Sequence, residues 1–156
     1  MAIPNRKLSE EQAQDILRNC HYGVLSTVDE HGNPYGVGIN CFYMEKEHAL
    51  YFHTKKIGKK MNNIKNHPIV SVFITDGMEK IVQERFTTHY QSIIVEGSAE
   101  LIDNIDEIEA KLRILCQRLC PDAVERREEV IAKFLPVVGI CKISIKNITA
   151  KANRDA

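Results

Sequence analysis

The 156-residue sequence sets 21 lysines and arginines against 21 aspartates and glutamates, with 44% hydrophobic and 27% charged residues. That balance suits one globular domain with a real core, and it supplies no overall field to recruit nucleic acid or an anionic membrane. No apolar run approaches the ~20 residues that span a bilayer and no signal-peptide pattern opens the chain, so the expected setting is cytoplasmic, with neither nucleic acid nor membrane as partner.

The five cysteines (Cys20, Cys41, Cys116, Cys120, Cys141) are odd in number and sit mostly in apolar periodic segments, as buried reduced thiols do. Cys116 and Cys120 fall one helical turn apart, but no histidine or second cysteine pair completes a metal set, so no metal is expected.

In chain order, a polar arm over about residues 1–8 leads to Ser9-Glu10-Glu11-Gln12, a capping box. Ala13, Ile16, Leu17 and Cys20 follow on one helical face, which predicts a helix over about Glu10–Asn19. The period then changes to two. Strands are predicted over Tyr22–Val28, Pro34–Met44 and Ala49–Thr54, joined by polar turns. Connections this short require antiparallel pairing, because parallel strands need a long crossover. A helix over Lys59–Asn66 stops at His67-Pro68, and Ile69–Ile74 is strongly β-prone.

Residues Met78 to His89 read as a ragged strand or a loop. Tyr90–Ile102 is a long strand with Gly97 inside it, a place for a bulge. Ile105, Ile108, Leu112, Leu115 and Leu119 mark the longest helix, over Asp106–Leu119, which Pro121 ends. A shorter helix over Glu125–Phe134, a last strand over Val137–Ile145 and a tail from about residue 146 complete the chain. The expected class is mainly β with flanking helices, a small closed or split β-barrel over residues 1–156. The apolar seam of the longest helix, or a barrel face, would need cover from a second copy.

The stretch Leu50 to Met61 concentrates chemistry. An apolar strand carries His53 and Thr54 to its end, Gly58 turns the chain, and Lys59 and Lys60 open a helix. A helix start has unpaired N–H groups and a positive dipole end, so with two lysines and a hydroxyl it suits a phosphate dianion. A solvated basic turn is the alternative.

Phosphate-loop, nucleophile-elbow and paired-cysteine motifs are absent from the sequence. Gly36-Val37-Gly38 begins like a dinucleotide fingerprint, but Cys41 stands at the third glycine position and the segment lies inside a strand. The two glycines either admit something flat to the strand or allow close strand packing.

The series Tyr22-Gly23-Val24-Leu25-Ser26-Thr27, Gly32-Asn33-Pro34-Tyr35, Tyr51-Phe52-His53-Thr54 with Gly58-Lys59-Lys60, Asn66-His67-Pro68, and Tyr90 to Gly97 resembles the pyridoxamine 5′-phosphate oxidase-related proteins. Within them it is most similar to the nitroimidazole-reductase branch, tied to nitroimidazole resistance. The resemblance runs from about Gln12 to Lys151. It implies an FMN-binding split β-barrel homodimer with the cofactor at the subunit interface. By position it assigns Lys59 and Lys60 to the phosphate, with lysine at 59 where relatives often carry arginine. It places His53 and Thr54 beside the flavin and its phosphate, Val37, Gly38, Ile39 and Asn40 along the ring, and Ser92 against the cofactor.

An FMN-dependent oxidoreductase is therefore expected, reducing a nitro-aromatic or similar small electrophile with a nicotinamide donor. His53 would donate a proton or orient substrate, or else serve structurally. The alternative function is a flavin- or haem-binding protein without turnover, for storage, sensing or carriage. The substrate motifs of true pyridoxamine-phosphate oxidases are not found in Ile143 to Ala156.

Overall fold

The computed structural model describes residues 6–154. The order is α1 (Glu10–Asn19), β1 (Tyr22–Val28), β2 (Pro34–Met44), β3 (Ala49–Lys55), α2 (Lys59–Asn66), β4 (Ile69–Thr75), β5 (Lys80–Val82), β6 (Thr87–Leu101), α3 (Ile105–Leu119), α4 (Val124–Phe134) and β7 (Val138–Asn153). The capping box forms as expected: Gln12 N–H donates to the Ser9 hydroxyl, and Ser9 N–H donates to the Gln12 side chain. Among the described residues no helix is long and apolar enough to cross a membrane.

Among the described residues seven strands join one sheet in the order β4-β1-β2-β3-β7-β6-β5, every pair antiparallel, and β4 pairs also with β6. The expected fold class, mainly β around a split barrel, is corrected by this topology. The molecule is a mixed α/β fold with a large antiparallel sheet that does not close all its strands into a barrel. Among the described residues β5 ends the sheet as an edge strand held only by β6, and four α-helices accompany the sheet.

Period-2 alternation sends two sets of side chains to two cores. Val37, Ile39 and Cys41 of β2 and Leu50 and Phe52 of β3 face inward, where Leu17 of α1 and Met61 and Ile64 of α2 meet them. Phe42, Tyr51 and Ile140 face the other way, against Ile108, Leu112 and Leu115 of α3 and Ile131 of α4. The middle of the seam, Ile108, Leu112 and Leu115, is thus packed against its own chain, while Ile105 at its start is exposed.

Two segments differ from expectation. Met78 to His89 holds the short strand β5, a 3-10 turn at Gln83–Arg85, and Phe86 at φ 49, before β6 begins at Thr87. The expected tail from residue 146 is instead the second half of β7, paired with β6 as far as Asn153↔Tyr90. Residues 155–156 and the first five of the expected arm lie outside the described residues; Arg6 and Leu8 hydrogen-bond the backbone of Ala152 and Ala150. The bulge expected at Gly97 is present as a register shift between Glu96 and Gly97.

Candidate functional site

The first turn of α2 is set by the chain before it. β3 ends at Lys55, and Gly58 reverses direction at φ 127, a value that L side chains rarely adopt. Gly58 is the N-cap residue and no side chain caps the helix. The N–H groups of the first turn therefore keep their capacity for an external acceptor. Lys59 is exposed and Lys60 half-buried. Lys59 Nζ stands 4.8 Å from the centroid of the Tyr35 ring, a cation–π contact that orients the ammonium.

Two buried contacts fix α2 against the sheet. Asn63, 4% exposed, donates from Nδ2 to the Thr27 hydroxyl at 2.9 Å, and Met61 and Ile64 enter the inner core. Beyond Lys59 a cavity of about 450 Å³ is lined by Gly58, Asn62 and Asn63 but also by Asp29 and Glu30. Those carboxylates make that side unfavourable for an anion. The Lys60 side, facing His53, is the more basic one.

His53 and Thr54 leave β3 on opposite faces. Thr54 points inward, is 4% exposed, and donates its hydroxyl to the Lys55 carbonyl at 2.9 Å. His53 shares its face with Tyr51 and opens toward α3 and α4. Burial of its inner edge, and then the charge of Lys60, push its pKa below the usual histidine value, although the residue keeps an exposed edge. His53 is thus favoured as the neutral imidazole, able to donate one hydrogen bond and accept another.

The β2 residues divide by parity. Val37 and Ile39 belong to the inner core, whereas Gly38 and Asn40 look outward, Asn40 donating to the His21 carbonyl at 3.3 Å. The space a side chain would fill at Gly38 is taken by the phenol of Tyr22. Across the same outer face Gly38, Val24, Phe73 and Ile94 stand side by side in register, and the last three are exposed apolar residues.

Ser92 is buried and pairs with Thr75. That row lies four residues along β4 from Ser71, which is level with Ser26, one residue short of the Thr27–Tyr35 row that carries Lys59. At about 3.3 Å per residue, Ser92 is roughly 15 Å along the strands from the α2 turn. The structure sets Lys60 near enough to His53 to act on its charge state, seats Lys59 on the Tyr35 ring, and leaves Ser92 apart. The contributions of Tyr22, Tyr35 and Asn63 were not read from the sequence; the strand register, which sets Tyr35 opposite Thr27, is the signal that finds two of these contacts.

A family model described as pyridoxamine 5′-phosphate oxidase matches residues 9–152. The chain belongs to the pyridoxamine 5′-phosphate oxidase family. The family resemblance read from the sequence is borne out. No curated protein matches the chain.

Three solved structures share the fold of this family member. A protein of Bacteroides thetaiotaomicron provisionally assigned to 5-nitroimidazole antibiotic resistance is 20% identical, with TM-score 0.75 over 95% of this chain and 86% of that one. The flavocytochrome Anf3 of Azotobacter vinelandii is 21% identical, with TM-score 0.75 over 93% of this chain and 67% of its own. The FAD and heme binding protein of Mycobacterium smegmatis is 18% identical, with TM-score 0.76 over 96% and 74%.

Proposed function

We propose that the chain is an FMN-dependent oxidoreductase that passes electrons from a nicotinamide donor to a nitro-aromatic or similar small electrophile. The observation that carries this reading is the uncapped first turn of α2, with Gly58 at φ 127, Lys59 on the Tyr35 ring and Lys60 near His53, in a member of this family. The turn offers free N–H groups, a positive dipole end and two ammonium groups to one phosphate. FMN, when bound, supplies the redox chemistry, and the chain supplies position and local charge.

The residues have distinct roles in this reading. Lys59 and Lys60 neutralise the phosphate, and the Tyr35 ring holds Lys59 in place. His53 orients the substrate by a hydrogen bond from its neutral ring and, when protonated, supplies it with a proton. Gly38 and Asn40 present a low surface to the ring once Tyr22 swings aside, while Val37 and Ile39 support that strand from the core. Thr54 braces the turn through the Lys55 carbonyl. Ser92, about 15 Å away by strand spacing, serves a site completed by a second copy. The exposed row Val24, Phe73 and Ile94 gives that homodimer an apolar face. A cytoplasmic setting belongs to the same proposal, because all five cysteines are free thiols.

The flavin and haem named for two structural neighbours support a second reading, a flavin- or haem-binding protein without turnover. One experiment separates them. Purified protein loaded with FMN is titrated anaerobically with NADH or NADPH, then mixed with a nitro-aromatic. Bleaching of the flavin followed by reoxidation supports the enzyme. A flavin that no nicotinamide reduces, or a Soret band in place of flavin absorption, removes it.

A further inference from the structure

A cavity of about 310 Å³ opens between the end of β3, the start of β7 and the pair α3–α4. It sits at the lower end of the 300–1,000 Å³ range of small-molecule sites and is far larger than an ordinary packing void. Leu115 and Ile131 give it buried depth at 4% and 3% exposure, while Phe134 at 49% and the exposed Cys120 leave it an open mouth. Among its ten lining residues only His53 brings a side-chain nitrogen or oxygen. Two sulfurs, of Cys116 and Cys120, line the same wall one helical turn apart.

These features select a ligand. With no formally charged lysine, arginine, aspartate or glutamate in the lining, an ion would lose its hydration without a partner. Leucine, isoleucine and phenylalanine surfaces favour an apolar body, and polarizable sulfur favours an aromatic ring. The volume admits one or two rings. The imidazole at the edge meets one polar atom.

We infer that this cavity binds a small uncharged aromatic molecule of one or two rings, held by apolar and sulfur contacts and met at one polar atom by His53. The inference shares His53 with the proposed substrate site and deepens that reading, but it does not need bound FMN, since the cavity is built by α3, α4, β3 and β7 of one chain.

The probe is indole, an uncharged two-ring molecule with one N–H donor. Calorimetric titration of the full chain, with and without FMN, is expected to show saturable binding with a dissociation constant of about 1 mM or tighter. Leu119→Trp and Val130→Trp each place a ring in the cavity and should weaken indole at least tenfold while circular dichroism stays native. His53→Ala should weaken it by about threefold to tenfold, the loss of one hydrogen bond. In methyl NMR spectra of the unaltered chain, indole should shift Leu112, Leu115 and Ile131 first, which tests the site even where both tryptophan variants fail to fold. Absence of saturable binding overturns the inference, as do shifts confined to other methyls or equal binding of benzoate. Failure of FMN to bind leaves the indole result standing, so the two readings fail separately.

Discussion

The phenol of Tyr22 occupies the space that a β-carbon would fill at Gly38, its diagonal neighbour across the β1–β2 pair. Tyr22 is 56% exposed and free to rotate outward. Gly38→Ala should therefore cost less than about 1 kcal/mol, because a flexible side-chain end is what must move. At Gly97 an added β-carbon would meet the backbone carbonyl of Ser144 instead. Gly97→Ala should cost about 1–3 kcal/mol, by overpacking against a rigid neighbour. Urea unfolding of both variants checks the contrast; equal losses would show that the Gly38 strand is as constrained as the bulge.

Replacing both Lys59 and Lys60 with alanine should lower FMN affinity by about 3–6 kcal/mol, at about 1.5–3 kcal/mol for each charge-assisted bond. Riboflavin lacks the phosphate and should change little. A similar loss for both ligands would mean that the lysines act on folding, and fluorescence quenching titrations decide.

His53 carries a pKa pushed down by burial and then by Lys60. A depressed histidine pKa means that the folded state resists protonation. Its contribution to stability is complete above the unfolded value, about 6.5, and is lost as pH falls through the lower folded value. An NMR titration should place His53 below 6.5, and Lys60→Gln should raise it. If the proposed proton role holds, His53→Ala should keep FMN bound while slowing substrate reduction by about 10²-fold. Unchanged single-turnover reoxidation at full flavin occupancy would end that role.

Lys111 is 8% exposed in its side chain and bonds Glu47 at 2.5 Å, and the Tyr51 hydroxyl donates to the same carboxylate. Burial raises the Glu47 pKa, but these donors outweigh it and the net shift is downward. The stability this contributes is complete above about 4.3 and lost as pH falls through the lower folded value. Lys111→Met should destabilise the protein by about 3 kcal/mol, the low end for breaking a buried pair, since Glu47 is partly exposed. Denaturation at pH 7 and pH 3 should show the penalty shrinking in acid.

Much of this was legible in the sequence because local signals agreed. α1 began at its capping box, α2 ended before Pro68, and Gly97 marked the bulge. The segment before β6 was not legible, because β5 is short and exposed and Phe86 adopts a left-handed turn without glycine. The second half of β7 was missed because Lys146, Asn147, Thr149 and Lys151 are exposed and break the apolar alternation that marks a half-buried strand. At the site, alternation placed His53 and Thr54 on opposite faces. It could not show that the Thr54 hydroxyl is spent on a backbone carbonyl, or that Ser92 stands apart from the lysines. Those are consequences of register, which emerges only when strands distant in sequence meet.

The position of β7 between β3 and β6 has a consequence for biosynthesis. A ribosome delivers both neighbours long before it delivers the strand that joins them. Until Val138–Asn153 has left the exit tunnel, β3 and β6 each carry an open row of backbone donors and acceptors, with Phe52, Ile93 and Val95 lacking their final cover. The nascent chain therefore keeps two adhesive strand edges exposed until β7 is free to pair, the interval in which chaperones have most to protect.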